Sequence, residues 1–279
     1  MRDALATARR GGLADLAWGV SGERSRPRVR GVLPLVETGS GGGSEAETLV
    51  VALAYAELAD ARSLAAAGPA GGALLALGSG PDGTRTGVRC RVAVTEDRDG
   101  AVFGQDLLDQ ELRRWPPSRV LADSPLLLRE HWWYLPRILV RLTPITVELL
   151  HGAPGADHLL FAAGPERLRA IPVSRPDGLT TDDRGAVPLA ASGQEASDPV
   201  PAVPAVPATL HGRAESPDRE RWSQWSWSGR WDGSSLHIDD ARGEVGLGPV
   251  PGVLTRWRTQ RRLEKACREG LKDAERNGI

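Results

Sequence analysis

The chain is 279 residues long, 41% of them hydrophobic, and it carries a formal net charge of −1 at pH 7. This length allows one large domain or a medium-sized domain with appendages, and the near-neutral charge argues against nucleic acid as a partner of the whole chain. With only Cys90 and Cys267, and with no apolar run long enough to cross a bilayer, the sequence excludes a disulfide scaffold, a cysteine-based zinc site and a membrane span.

The first part of the chain is predicted to form a succession of short strands. Residues 13–20 and 28–36 are predicted strands, joined by a turn over 21–23. A Gly/Ser loop over 39–44 leads to a third predicted strand, 49–55. Because this loop has no lysine of the kind found in phosphate-binding loops, it does not predict nucleotide binding.

A short helix is predicted over 57–67, where almost every residue is a good helix former. It carries Arg62 and Ser63, a cation and a hydroxyl suited to a phosphate. A solvated helix arginine is the alternative, since this sequence uses arginine almost everywhere in place of lysine. Further along, the predicted strand 86–94 places Arg89 and Arg91 on one face, which meets either solvent or an anionic cofactor.

This order of elements resembles that of the split-barrel flavin-binding proteins related to pyridoxamine 5'-phosphate oxidase, over roughly residues 13–150. The resemblance rests on the strand with Pro34, the strand that ends at Tyr55, the helix with Arg62 and the strand that follows it. It implies a mainly β, α+β fold, a split β-barrel with peripheral helices. It also implies a homodimer with the flavin between the subunits.

The resemblance further implies a set of cofactor-binding residues. FMN is the implied cofactor, with its phosphate held by Arg62 and Ser63 and the edge of its ring lined by Tyr55. Arg30 and Arg91 complete the predicted cofactor-binding set. The deazaflavin F420, or no cofactor at all, are alternatives that the sequence leaves open.

The most aromatic stretch in this part of the chain is residues 131–134. His131 is a candidate proton donor in a substrate lid. Its three aromatic neighbours either form a wall over a planar cofactor or plug a subunit interface. The five histidines of the chain have no metal-ligand spacing, so no metal site is predicted. Two strands are predicted after this cluster, separated by Thr143 and Pro144.

The composition changes after residue 175, so three regions are predicted. The barrel occupies 1–175, and the Ala- and Pro-rich residues 176–218 are predicted to form an extended linker without a core. Residues 219–279 combine a Trp-rich β-hairpin with a charged helix. The hairpin either packs back on the barrel or offers its tryptophans to bases or sugars. A basic nucleic-acid helix is an alternative for the C-terminal helix only.

The predicted function is that of an FMN-binding protein, an oxidoreductase acting on a small molecule. In such a protein the flavin carries the chemistry and no protein nucleophile is needed. The alternatives are an F420-dependent relative, and a cofactor-free binding or assembly module that uses the Trp-rich tail. A cytoplasmic location is expected because the first residues lack the apolar core of a signal peptide. No membrane partner is expected.

Overall fold

The computed structural model of the chain describes residues 2–19, 26–38, 47–67, 72–78, 84–118, 133–152, 156–164, 167–189 and 205–279. The main helices are α1 (Arg2–Arg10), α2 (Leu58–Ala67), α3 (Leu108–Arg114) and α4 (Val253–Asn277). The strands are β1 (Ala14–Trp18), β2 (Arg28–Val32), β3 (Pro34–Thr38), β4 (Glu47–Ala54), β5 (Ala73–Leu77), β6 (Arg85–Asp97), β7 (Arg137–Leu150), β8 (His158–Ala163), β9 (Leu168–Val173), β10 (Gly185–Pro188), β11 (Val206–Glu215), β12 (Trp222–Trp231) and β13 (Ser235–Gly243).

The first sheet closes on itself. Its strands follow the order β2-β1-β5-β6-β7-β4-β3, and each neighbouring pair is antiparallel. The two outermost strands are pieces of one segment, because β2 ends at Val32 and β3 begins at Pro34. That segment pairs with β1 through its first half and with β4 through its second half. The sheet is therefore a barrel with its interior filled by apolar side chains.

Strands β6 and β7 run beyond the closed part of the barrel. Because β4 pairs with β7 only as far as Leu142, residues 143–150 keep one unpaired edge among the described residues. We call these residues the β7 overhang. The sequence predicted two strands here, whereas the structure has one. A register shift opposite Arg89 and Cys90 accommodates Pro144, which has no N–H to donate.

The second sheet packs against the outside of the barrel. Its order is β10-β13-β12-β11-β8-β9. On one face, Leu159 and Phe161 of β8 belong to the same apolar cluster as Ala17 and Leu74 of the barrel. The opposite face has its own core, which includes the fully buried Trp227.

The prediction of a mainly β, α+β fold with peripheral helices is confirmed, but the predicted linker differs from the structure. Within 176–218, Val206–Glu215 forms β11, which pairs with β8 on one side and β12 on the other. The predicted boundary at residue 175 thus falls inside a sheet. The reason is that β8 pairs with β9 along one edge, and its other edge needs a partner that only a later part of the chain, β11, supplies.

Several predicted features lie outside the described residues. These are the turn over 21–23, the loop over 39–44, the side chains of His131 and Trp132, and the part of the predicted linker over 190–204.

Candidate functional site

Arg62, the predicted phosphate ligand, is engaged by the end of the chain. Its guanidinium donates to the Asp273 carboxylate, with Nη1 2.7 Å from Oδ2. It also donates to the backbone carbonyl of Gly278 from Nε at 3.1 Å and from Nη2 at 2.8 Å. All three bonds go to α4 or to the residue that caps it. A phosphate at Arg62 would therefore compete with the protein's own acceptors.

Arg30 is also satisfied within the chain. Its guanidinium forms ion pairs with Glu57 and with Asp60, the latter with Nη1 3.0 Å from Oδ2. These residues line a groove of about 540 Å³ between the barrel and the second sheet, to which Gln224 and Ser226 also contribute. With two carboxylates bound to its guanidinium, Arg30 is not free to hold a phosphate in this groove.

Ser63 and Tyr55 also bond within the fold. The Ser63 hydroxyl accepts a hydrogen bond from Trp18 Nε1 at 3.0 Å. Tyr55 is 1% exposed and donates through its hydroxyl to Glu96 at 3.3 Å. Burial, reinforced by the Glu96 carboxylate, raises the pKa of Tyr55 above its ordinary range. Tyr55 is therefore a neutral, buried phenol and does not present its ring to a ligand at the surface.

Arg91 differs from the other predicted arginines, because it is exposed and has no hydrogen bond or ion pair with any described residue. It lies opposite Thr143 in the pairing of β6 with β7, and Ala93 and Thr95 continue the same exposed side of β6. Nearby, Arg141 Nη1 donates to Thr95 Oγ1 at 2.6 Å. The Nε and Nη2 atoms of Arg141 donate to the Glu37 carboxylate at 2.7 and 2.8 Å. The structure thus places one free cation among hydroxyls on an open sheet face.

An open hollow of about 630 Å³ lies at the end of this face. It is lined by Thr95, Glu96, Arg98, Asp99 and the C-terminal Ile279, together with Val94. Its size is within the usual range for small-molecule sites. We call the exposed side of β6 from Arg91 to Thr95, together with this hollow, the β6 site.

The β7 overhang carries exposed apolar side chains. Ile145, Val147 and Leu149 are 48%, 43% and 61% exposed. The pairing of Val147 with Val88 and of Leu149 with Thr86 places these two side chains on the face of the sheet opposite Arg91. Apolar side chains on a strand with an unpaired edge are a surface that other chains can cover.

A buried polar cluster joins the barrel to the second sheet, and sequence reasoning did not find it. Arg85 Nη1 donates to Asp15 Oδ2 at 2.9 Å, while His211 Nε2 and Arg213 Nε lie 3.4 and 3.5 Å from Oδ1. Burial alone would raise the pKa of Asp15. The charges of Arg213, His211 and Arg85, with the His211 contact, outweigh burial and hold the pKa well below its usual range. One signal was available, because Asp15 interrupts an otherwise apolar predicted strand.

The Trp-rich hairpin is largely interior. Trp227 and Trp225 are buried, and they donate to the Thr180 carbonyl at 2.8 Å and to His158 Nε2 at 3.0 Å. Trp222 packs edge-on against Trp115 at 5.7 Å between ring centroids. The hairpin is part of the second sheet, and Trp225 and Trp227 pack in the core on the face of that sheet away from the barrel. This packing leaves no tryptophan face for bases or sugars at Trp225 and Trp227.

Metal and membrane features are absent from the part of the chain that the structure describes. No group of three or more His, Cys, Asp or Glu side chains there is placed to hold a metal ion. No helix within the same residues combines the length and apolarity needed to cross a bilayer.

No protein-family model matches the sequence, and no curated protein matches it either. Solved structures do match. General stress protein 26 from Bacillus anthracis str. Sterne is 12% identical, with a TM-score of 0.33, covering 54% of this chain and 96% of that one. A general stress protein 26-related protein of the pyridoxinephosphate oxidase family from Clostridium acetobutylicum is 6% identical, with a TM-score of 0.32, covering 54% and 87%.

A third match is a pyridoxamine 5'-phosphate oxidase-related, FMN-binding protein from Nostoc punctiforme PCC 73102. It is 12% identical, with a TM-score of 0.30, and the match covers 63% of this chain and 85% of that one. The second of these proteins is named as a member of the pyridoxinephosphate oxidase family, and the third is named as related to pyridoxamine 5'-phosphate oxidase.

Proposed function

We propose that this chain binds FMN at the β6 site and acts as a flavin-dependent oxidoreductase on a small molecule. The proposal rests on the free guanidinium of Arg91. Of the three arginines that the resemblance implies as cofactor ligands, Arg62 and Arg30 are held by the chain's own acceptors, whereas Arg91 has none among the described residues. A free guanidinium beside the hydroxyl-bearing Thr143 fits a phosphate, which needs a cation and hydrogen-bond donors.

A homodimer is part of the proposal. The β7 overhang exposes Ile145, Val147 and Leu149, and a second chain that covers it would bury these apolar side chains. The pairing of Val147 with Val88 and of Leu149 with Thr86 places these two side chains on the face of the sheet opposite Arg91, so this contact would not itself cover the β6 site.

The chain's own residues would bind and orient the cofactor. Flavin, when bound, takes or gives a hydride, and the protein supplies position and electrostatics. Arg91 would hold the phosphate, and the Thr143 and Thr95 hydroxyls lie on the same exposed side to offer further hydrogen bonds. Arg141 would keep Thr95 in place, because it donates to Thr95 and is itself fixed by Glu37.

The test begins with the absorbance spectrum of the freshly purified protein and with mass spectrometry of whatever heat releases. We expect a flavin spectrum and FMN. Arg91→Ala should then weaken FMN binding by roughly one to two decades, the value of a charge-assisted hydrogen bond or two. The matched control is Arg242→Ala, which removes an arginine side chain that is 82% exposed on the second sheet. A flavin bound with unchanged affinity by a folded Arg91→Ala protein would place the site elsewhere.

A cofactor-free binding module is the second candidate, and one observation favours it. Arg62 and Arg30 are both neutralised by carboxylates of the same chain, as is expected where a phosphate is no longer bound. A colourless protein that binds neither FMN nor F420 would support this candidate. Its working surface would then be the β7 overhang, since Trp225 and Trp227 are buried. A spectrum at shorter wavelength, with F420 released, would keep the β6 site and change the cofactor.

A further inference from the structure

The start of α4 is exposed to solvent. Every residue from 248 to 259 is exposed. Four of the large exposed hydrophobic side chains of the described chain lie here: Val250 at 61%, Val253 at 86%, Leu254 at 58% and Trp257 at 46%. We call residues 250–262 the basic arm. Exposed apolar side chains gathered in one short segment mark a contact surface.

The arm is held in helical form by the packed end of the same helix. Cys267 and Ala274 are buried, and Gly270 lies so close to the Tyr55 carbonyl that an added Cβ would be 2.1 Å from its oxygen. Arg62 fixes the last turn. A short helix that is already folded loses little backbone entropy when it binds, so even ten helical residues can dock.

The charge of the arm is of one sign. It contains Arg256, Arg258, Arg261 and Arg262 and no acidic residue. The guanidinium groups of Arg258 and Arg262 have no hydrogen bond or ion pair with any described residue. Arg261 lies 5.7 Å from the centre of the Trp257 ring and pairs with Glu264, just beyond the arm, with Nη1 3.3 Å from Oε2. The segment is therefore complementary to an anionic surface.

The apolar side chains of the helical part of the arm share one side. At about 100° per residue, Val253, Trp257 and Leu254 fall within an arc of roughly 100°. Arg256 lies on one flank of this arc, Arg258 and Arg262 lie on the other, and Arg261 lies within it, beside the Trp257 ring. Long arginine stems allow the charged ends to reach the headgroups while the apolar arc is buried. This is the arrangement of a helix that lies in the interface of a membrane.

We propose that the basic arm docks the protein on an anionic lipid surface, with Leu254 and Trp257 entering the interface and the arginines contacting the headgroups. Duplex nucleic acid offers the same negative charge, but phosphates and base edges would leave the apolar arc largely unburied. An anionic lipid surface would pair with the positive charge of the arm and would also bury its exposed apolar side chains.

The experiment is co-sedimentation of the full chain with vesicles, either pure phosphatidylcholine or an equal mixture of phosphatidylcholine and phosphatidylglycerol. We expect binding to the mixed vesicles that weakens as salt is added. Leu254→Ser/Trp257→Ser should reduce the affinity by roughly tenfold or more, and Arg258→Gln/Arg262→Gln should reduce it by a similar factor in dilute salt. Lys272→Gln/Arg276→Gln is the matched control, because it removes two charges from the other end of the same helix and should leave binding intact.

Three results would overturn the proposal. One is no binding to the mixed vesicles in dilute salt. Another is equal loss of binding in the control and in the Arg258→Gln/Arg262→Gln protein. The third is a fluorescence anisotropy titration in which a labelled DNA duplex binds the full chain and loses that binding in the arginine variant, while vesicles do not bind. The third result would assign the arm to nucleic acid.

Discussion

Arg62 and Asp273 form an ion pair, with 2.7 Å between Nη1 and Oδ2, although 211 positions separate them in the sequence. The same guanidinium reaches the carbonyl of Gly278 at the end of α4. The arginine that resemblance assigns to a cofactor phosphate therefore serves here as the anchor of the C-terminal helix. Ile279, just beyond this anchor, lines the hollow of the β6 site.

Replacing this anchor should loosen α4 without affecting the barrel. Arg62→Ala removes the bonds to Asp273 and Gly278. We expect a loss of about 1 kcal/mol of stability, because the pair is about one-third exposed. The measurement is the rate at which an alkylating reagent labels Cys267, which lies on the buried side of α4. Labelling should speed up in the variant.

Two internal controls accompany this measurement. Cys90 lies inside the barrel, so its labelling should not change. Arg276→Ala removes an exposed arginine from the same last turn and should leave Cys267 protected. If Cys267 were labelled at the wild-type rate in the Arg62→Ala protein, the anchoring role of Arg62 would be wrong.

Gly270 should be required for the close approach of α4 to the barrel. Gly270→Ala would place a methyl group 2.1 Å from the Tyr55 carbonyl oxygen, which is backbone and cannot rotate away. We expect a loss of about 1–3 kcal/mol in the free energy of unfolding, typical of an overpacked contact. The control is Gly252→Ala, at the start of the same helix, where nothing lies within 4 Å. Denaturant unfolding of the two variants gives the comparison, and equal stabilities would contradict the packing.

Low pH should weaken the contact that Asp15 makes between the barrel and the second sheet. The pKa of Asp15 is held below its ordinary value of 3.8, so the folded state binds this proton less readily than the unfolded state does. Its contribution to stability is therefore complete above pH ~4 and is lost as the pH falls below that value. We expect Asp15→Asn to cost about 3–5 kcal/mol near neutral pH, because Arg85 is left buried without its partner.

The pH dependence of that difference is the measurement. Unfolding in denaturant is followed for both proteins from neutral pH down to pH ~3. The difference in the free energy of unfolding between wild type and Asp15→Asn should stay constant down to pH ~4 and become smaller below it. A difference that stays constant to the lowest pH would mean that Asp15 carries no special charge interaction in the folded protein.

Neither cysteine should behave as a reactive thiol in the folded protein. Burial raises the pKa of Cys90 to about 12 and also raises the pKa of Cys267. The thiolate, which is the reactive form, is therefore scarce at neutral pH. We expect iodoacetamide to modify both residues in denaturant and neither in the native protein. Rapid native labelling of Cys90 would show that the barrel opens to solvent.

Local sequence patterns predicted the local elements well. The helix over 57–67 is found as Leu58–Ala67, and the charged helix predicted within 219–279 is found as Val253–Asn277. In both, the residues between the ends favour helix and turn residues flank them. The Trp-rich hairpin is found as β12 and β13. Such features depend on neighbours in sequence, which a single sequence displays directly.

Long-range contacts could not be predicted in the same way. Val206–Glu215 follows repeated Ala-Val-Pro, a composition that predicts a linker, yet the pairing of β11 with β8 makes it a central strand. Arg62 has the residue type of a phosphate ligand, but its function depends on Asp273, which only the fold brings near. The Asp15 cluster likewise joins β1, β6 and β11, and no spacing in the sequence connects them.

The place of β11 in the second sheet sets an order of events during synthesis. The barrel strands are complete once Leu150 has left the ribosome, but β11, which covers Asp15 and Arg85, is made only after a further stretch of chain. Until then the newly made barrel has the ion pair of Asp15 and Arg85 on a face that β11 does not yet cover. A ribosome that stalls in the Ala-Val-Pro stretch would leave such a barrel in the cell, with β8 open to pairing by other chains.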